Sequence, residues 1–330
     1  MHVFTFLFAY CLIIIVVVVY QLRNLINRRN VVSDPSDDVN ACEDFLELIV
    51  IAHILCAIMA VLGMETLDDN PSSVFFPEGE VREKTAVLQS AAKVVINDYT
   101  DFTYPARKQP TSPKDHIHEY AKEVLTLGLF FLDYKDAIRE GDGTRVLRSW
   151  KYLLLFFRAT GHKNYTIEAF TLLAQHYYFF PPRLSQQLLW SRFVNTQGKK
   201  GHNIPADLHM EHLNRICKDA VSHLGANKTP NAIVRAGKAI SGIGKVLQQF
   251  DTSLSINDTS GYHPRRDMSG DLKKVVSEIH KSQVFSYLPG RKHRSFQQIN
   301  CNVFRSIDEK FETWMKQKFA KQLKSSILNR

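Results

Sequence analysis

Asp207, Glu211 and Arg215 recur every four residues in the polar stretch Ile204-Pro-Ala-Asp-Leu-His-Met-Glu-His-Leu-Asn-Arg215. On a helix that spacing puts all three on one face, and His209 and His212 neighbour each other over the same turns. Carboxylates and imidazoles on adjacent turns are ligand types for a divalent ion, and paired carboxylates serve two-metal phosphoryl chemistry. On that reading Asp207 and Glu211 are the metal ligands and the catalytic acids, with Mg2+ or Mn2+ as the ion. A second reading needs no metal. An acid in the first turn of a helix is favoured by the helix dipole, and Glu211 with Arg215 makes a surface ion pair. The His-x-x-His spacing differs from His-Glu-x-x-His, where two imidazoles stand four apart to share a zinc.

Basic residues supply a different chemistry. Gly198-Lys-Lys-Gly201 is flexible and cationic but lacks the spacing of a P-loop. Lys199, Lys200, Arg215, Arg291, Lys292 and Arg294 are the candidate phosphate contacts of a nucleic-acid surface. The formal charge of +9 is unevenly placed: residues 199–330 hold 23 Lys and Arg against 11 Asp and Glu, a net +12, and the rest hold 19 against 22, a net −3. A basic half suits a polyanion, whether nucleic acid or anionic lipid, although a merely solvated basic face has the same composition. The five cysteines are scattered with no Cys-x-x-Cys pair, which fits a reducing compartment and indicates neither a zinc site nor a disulfide framework. No Ser or Cys nucleophile arrangement is visible.

The elements that must position these groups are helical. Residues 3–20 carry no charge, close to the shortest helix that spans a bilayer. Arg23, Arg28 and Arg29 follow that run and no Lys or Arg precedes it, so it reads as an uncleaved single-pass anchor with the body in the cytosol. If the run is not an anchor, the chain is nuclear or cytosolic. A second apolar stretch, Phe45 to Met64, carries Glu47 and His53 inside it and reads instead as a buried helix of the body. Helices follow over Glu80–Asp98, Ile117–Glu140, Arg145–Thr160 with Thr144 as its cap, Tyr165–Phe180, Leu184–Val194, Pro205–Leu224 and Thr229 to about Phe250. A short basic helix, Leu272–Ser282, comes next. From Asn302 to Leu323 the residues Val303, Ile307, Phe311, Trp314 and Phe319 form an apolar stripe beside lysines, with packing on the body as the default reading. The chain divides into an anchor candidate (1–22), a polar linker (23–44), a helical body (45–250), a flexible basic region (251–298) and a basic amphipathic helix (299–330). The class is mainly α: a multi-helix globular body behind one N-terminal transmembrane-candidate helix.

Gly141-Asp-Gly-Thr-Arg-Val-Leu-Arg-Ser-Trp-Lys151, Asn164-Tyr-Thr-Ile-Glu168, Val194-Asn-Thr-Gln-Gly198 and above all Asp207-Leu-His-Met-Glu-His-Leu-Asn214 resemble domain-of-unknown-function family 6589. His53 to Met64 and Thr229-Pro-Asn-Ala-Ile-Val-Arg235 match it too, so the resemblance covers roughly residues 40–250. It implies a transposon-derived protein related to RNase H-like transposases, which hold two metals with carboxylates from two strands and one late helix. By that analogy Glu211, with Asp207 beside it, is the late helical acid. Longer members carry a Gly-Asp motif before the helix matched by Phe45–Met64, where this chain has its apolar segment. The resemblance therefore implies the C-terminal portion of a transposase-like protein, catalytically incomplete, with a basic half facing nucleic acid. A membrane-anchored interaction or scaffold protein is the alternative. An active metal-dependent nuclease or strand transferase is the third possibility.

Overall fold

In the computed structural model of the chain the described residues are 22–31, 39–73, 80–100, 113, 115–159, 161–226, 228–253, 267–293 and 309–328. The anchor candidate at 3–20, Arg294, Val303 and Ile307 lie outside them. The fold is helical, as the periodicity predicts. Among the described residues the one strand pairing is a two-residue ladder, β1 (Phe193–Val194) against β2 (Ile204–Pro205).

The chain forms two units. The first comprises residues 1–137, 142–189 and 268–330, and the second 138–141 and 190–267. At the centre of the first is α1 (Val39–Leu62), long and apolar enough to cross a membrane by length and composition. It is apolar nearly all round, the signature of a helix covered on several sides. Phe45, Leu46, Leu48, Ile49 and Val50 are buried, and so is His53. Its acidic turn is matched from α3 (His116–Glu140), where buried Lys135 reaches Glu43 at 2.6 Å and Glu47 at 2.7 Å. The charges that argued against a span in the sequence are thus paired within the body.

Gly128 of α3 lies against Val50. A Cβ at position 128 would sit 2.5 and 2.8 Å from the two Val50 methyls, and Val50 is fully buried. Alanine gains about 1 kcal/mol of helix propensity over glycine. Overpacking a fixed core costs about 1–3 kcal/mol, and no flexible side chain is there to yield. Gly128→Ala is therefore expected to lower the urea midpoint, with a net loss of up to about 2 kcal/mol.

Around α1 stand α2 (Val81–Tyr99) and, later in the chain, α9 (Ser269–Lys281), which buries Val275, Val276 and Ile279. α2 is covered only in its second half: Ala91 and Val95 are buried, whereas Val81 is 80% exposed. The helix α4 (Gly143–Ala159) supplies Leu153, Phe156 and Phe157 to the core. Its cap is Asp142 rather than the expected Thr144, because the Arg145 amide donates to Asp142 Oδ1 at 3.0 Å.

The single helix expected over Tyr165–Phe180 is interrupted. α5 (Lys163–Ala174) gives way to a π-helical turn at Gln175–Phe179, where the Phe180 amide reaches back to the Gln175 carbonyl at 2.9 Å. Pro181 explains the widening. The residue before a proline is pushed out of the helical region, and Phe180 is extended (φ −91°, ψ 140°). Ser185 of α6 (Pro182–Trp190) donates to the loosened carbonyls of His176 and Phe180, at 2.9 and 3.3 Å.

The second unit continues from the hairpin into α7 (Ala206–Ser222) and α8 (Pro230–Ser253), which pack on each other. The terminal helix, α10 (Glu309–Leu328), packs on the body of the first unit by its aromatic stripe. Trp314 meets Phe170 at a ring separation of 5.7 Å, and Phe319 stacks on Phe179 at 5.7 Å.

Candidate functional site

The hairpin places α7. Val194 pairs with Ile204 and Phe193 with Pro205, and the Ala206 amide donates to the Arg192 carbonyl at 2.8 Å. The connection between the strands is held by Asn195 Nδ2 donating to the Lys199 carbonyl (2.8 Å) and Asn203 Nδ2 to the Arg139 carbonyl (2.8 Å). Pro205, at the N-cap position, presets the entry without donating a side-chain cap.

Asp207 therefore falls in the first turn of α7, as its dipole-favoured position predicts, and accepts a hydrogen bond from the Leu208 amide at 2.9 Å. Glu211, His212 and Arg215 are exposed on the following turns, and His209 is half-buried. Among the described residues no group of three or more His, Cys, Asp or Glu side chains is arranged to hold a metal. A hard divalent ion takes six or more oxygens. Two exposed carboxylates on one helix leave most of that shell to water, so α7 by itself does not fit a two-metal site.

What the unit presents is cationic surface. Residues 138–141 and 190–267 hold 12 Lys and Arg against 7 Asp and Glu, a net +5. Lys199 and Lys200 are exposed in the hairpin connection, and Arg215 on α7. Sequence reasoning passed over Arg235, Lys238 and Lys245, all exposed on α8. Their spacing of three and then seven places them on one helical face, which was the available signal. No residue of α7 is buried, and Met210, Leu213 and Ile216 are 41–53% exposed.

The basic cluster at 291–294 divides differently. The Arg291 guanidinium donates to both carboxylate oxygens of Asp115 (2.6–3.0 Å) and to the carbonyls of Ser282, Gln283 and Ser286. Those bonds fill its donor fork, so it is not available to a phosphate. Lys292 is exposed.

A model of a family of unknown function (DUF6589) matches residues 19–263, extending beyond the 40–250 read from motifs. No curated protein and no solved structure matches the chain.

Proposed function

The chain belongs to that family, DUF6589, and from this premise we propose that it is a transposon-derived protein that binds nucleic acid through its second unit and carries no complete strand-transfer site. The observation that carries the reading is the net +5 of that unit, with exposed cations on the hairpin, α7 and α8. Lysine and arginine on such a surface neutralise phosphates and release condensed counterions, an interaction indifferent to base sequence. On the catalytic half of the reading, α7 supplies two carboxylates, Asp207 and Glu211, where two-metal phosphoryl chemistry needs a larger ligand set.

Fluorescence anisotropy with a labelled 20-base-pair duplex tests it. Neutralising the hairpin cations together, Lys199→Gln with Lys200→Gln, is expected to weaken binding about tenfold at 0.1 M salt. The slope of log affinity against log salt should become shallower by about 2. Unchanged affinity and slope would remove the hairpin from the interface. Mg2+-dependent cleavage of the duplex, lost in Glu211→Gln, would overturn the incomplete site.

A further inference from the structure

The first unit carries an anomaly of its own. Tyr178 is 73% exposed and Tyr177 49%, both on the π-helical turn. Bulges of this kind are rare and concentrate at functional sites. Two adjacent rings in water are an unfavourable use of aromatic surface unless something stacks on them.

Their surroundings say what that is. Lys151 Nζ lies 4.8 Å from the centre of the Tyr177 ring, and Arg158 lies over Trp314 at 5.5 Å. Tyr178 meets Phe319 edge to face at 5.2 Å, and α10 carries Lys316, Lys318 and Lys321 around that residue. Residues 143–190 hold six Lys and Arg against one acid, Glu168, a net +5 that the negative total of the N-terminal part conceals.

We propose that this face of α4, the π-helical turn and α10 binds single-stranded nucleic acid, with Tyr177 and Tyr178 stacking bases and Lys151 and the α10 lysines tracking phosphates. Stacking platforms interleaved with cations bind single strands with little sequence preference, because every base has a π-face. Paired bases in a duplex cannot offer their faces to these rings. An anionic membrane is the weaker match: the exposed anchors are tyrosines, while Trp314, Phe179 and Phe319, which would insert among acyl chains, are drawn into the body. The surface lies in a different unit from the hairpin cations and stands whether or not those bind duplex.

The intact chain is titrated into labelled oligothymidylate of 20 nucleotides, and separately into the duplex. Tyr177→Ala and Tyr178→Ala are each expected to weaken oligothymidylate binding about tenfold, Tyr178→Phe to retain it, and all three to leave duplex binding unchanged. Lys199→Gln with Lys200→Gln should do the reverse. Tyrosine variants that bind oligothymidylate like the wild type overturn the proposal, as does a Tyr178→Phe as weak as Tyr178→Ala. Wild-type chain that ignores oligothymidylate but binds phosphatidylserine vesicles through these tyrosines assigns the face to lipid instead.

Discussion

Asp115→Ala is expected to destabilise the first unit by about 3 kcal/mol, the cost of leaving the half-buried Arg291 guanidinium without its carboxylate and α3 without its cap. Asp115 is fully buried at the start of α3 and closes two structures at once. It caps the helix, accepting from the Ile117 and His118 amides at 3.1 and 3.2 Å. It also holds the segment after α9, accepting from the Leu288 amide at 2.8 Å and from Arg291. That segment seats Phe285, whose ring lies 5.2 Å from Tyr99 and 6.3 Å from His53. Releasing it opens the α1–α3 core.

Urea unfolding of Asp115→Ala, Arg291→Ala and the double variant separates the terms. Each single change leaves one charge without its partner, so the double variant should be less destabilised than the sum, and strict additivity would show that the pair is not coupled. Burial acts to raise the Asp115 pKa, but hydrogen bonds from Arg291 and from the Leu288 and His118 amides, with the Arg291 charge, outweigh it and hold the carboxyl below its ordinary value. The unfolded chain thus takes up the proton first. This stabilisation is complete above the ordinary carboxyl value of 3.8 and is lost as pH falls through the lower folded value.

The second large effect is the loss of stability in mild acid, and His53 is its main source. The ring is 2% exposed, and its Nδ1–H donates to the Ile49 carbonyl at 2.8 Å. Burial pushes its pKa from 6.5 to about 4, only partly opposed by that hydrogen bond. Below pH 6.5 the unfolded chain binds a proton that the folded chain refuses until about pH 4. At about 1.4 kcal/mol per pH unit, stability should fall by roughly 3 kcal/mol across that window. His53→Leu removes the group and should flatten the profile measured by urea unfolding between pH 7 and 4. His118 leaves a smaller residual slope, because burial lowers its pKa as well, against a hydrogen bond to the Val284 carbonyl. A His53→Leu profile as steep as the wild type would contradict the assignment. The window lies above that of Asp115, so the two effects separate on one pH axis.

Much of this architecture is legible in the residues. Glu47 and His53 inside an apolar run marked α1 as a body helix, and both have partners there. The ends expected at Thr160 and Leu224 are each followed by a glycine, Gly161 and Gly225, with φ of +79° and +59°, which side chains resist. Other features depended on tertiary context. Nothing local ranks Asp142 above Thr144 as a cap; Arg145 settles it by bridging Asp133 and Asp136 on the preceding helix, each at 2.6 Å. The β1–β2 ladder is two residues per strand, too short for a period-two pattern to register. Arg291 looked like a phosphate ligand within a basic run because its partner, Asp115, is 176 residues away in the sequence.

The sites divide along the same line. Asp207, Glu211 and Arg215 were identifiable from spacing, and the structure places them on successive exposed turns of α7. The tyrosine face was hidden because it joins α4, the π-helical turn and α10, and because charge summed over 198 residues cancels the basic stretch within it.

A salt titration of duplex binding by the intact chain tests the central claim most directly. Log affinity should fall linearly as log salt rises between 0.05 and 0.3 M, with a slope of about −3 to −5 for a surface using four or five of its cations. Absence of duplex binding at 0.05 M salt, or affinity indifferent to salt, would contradict it.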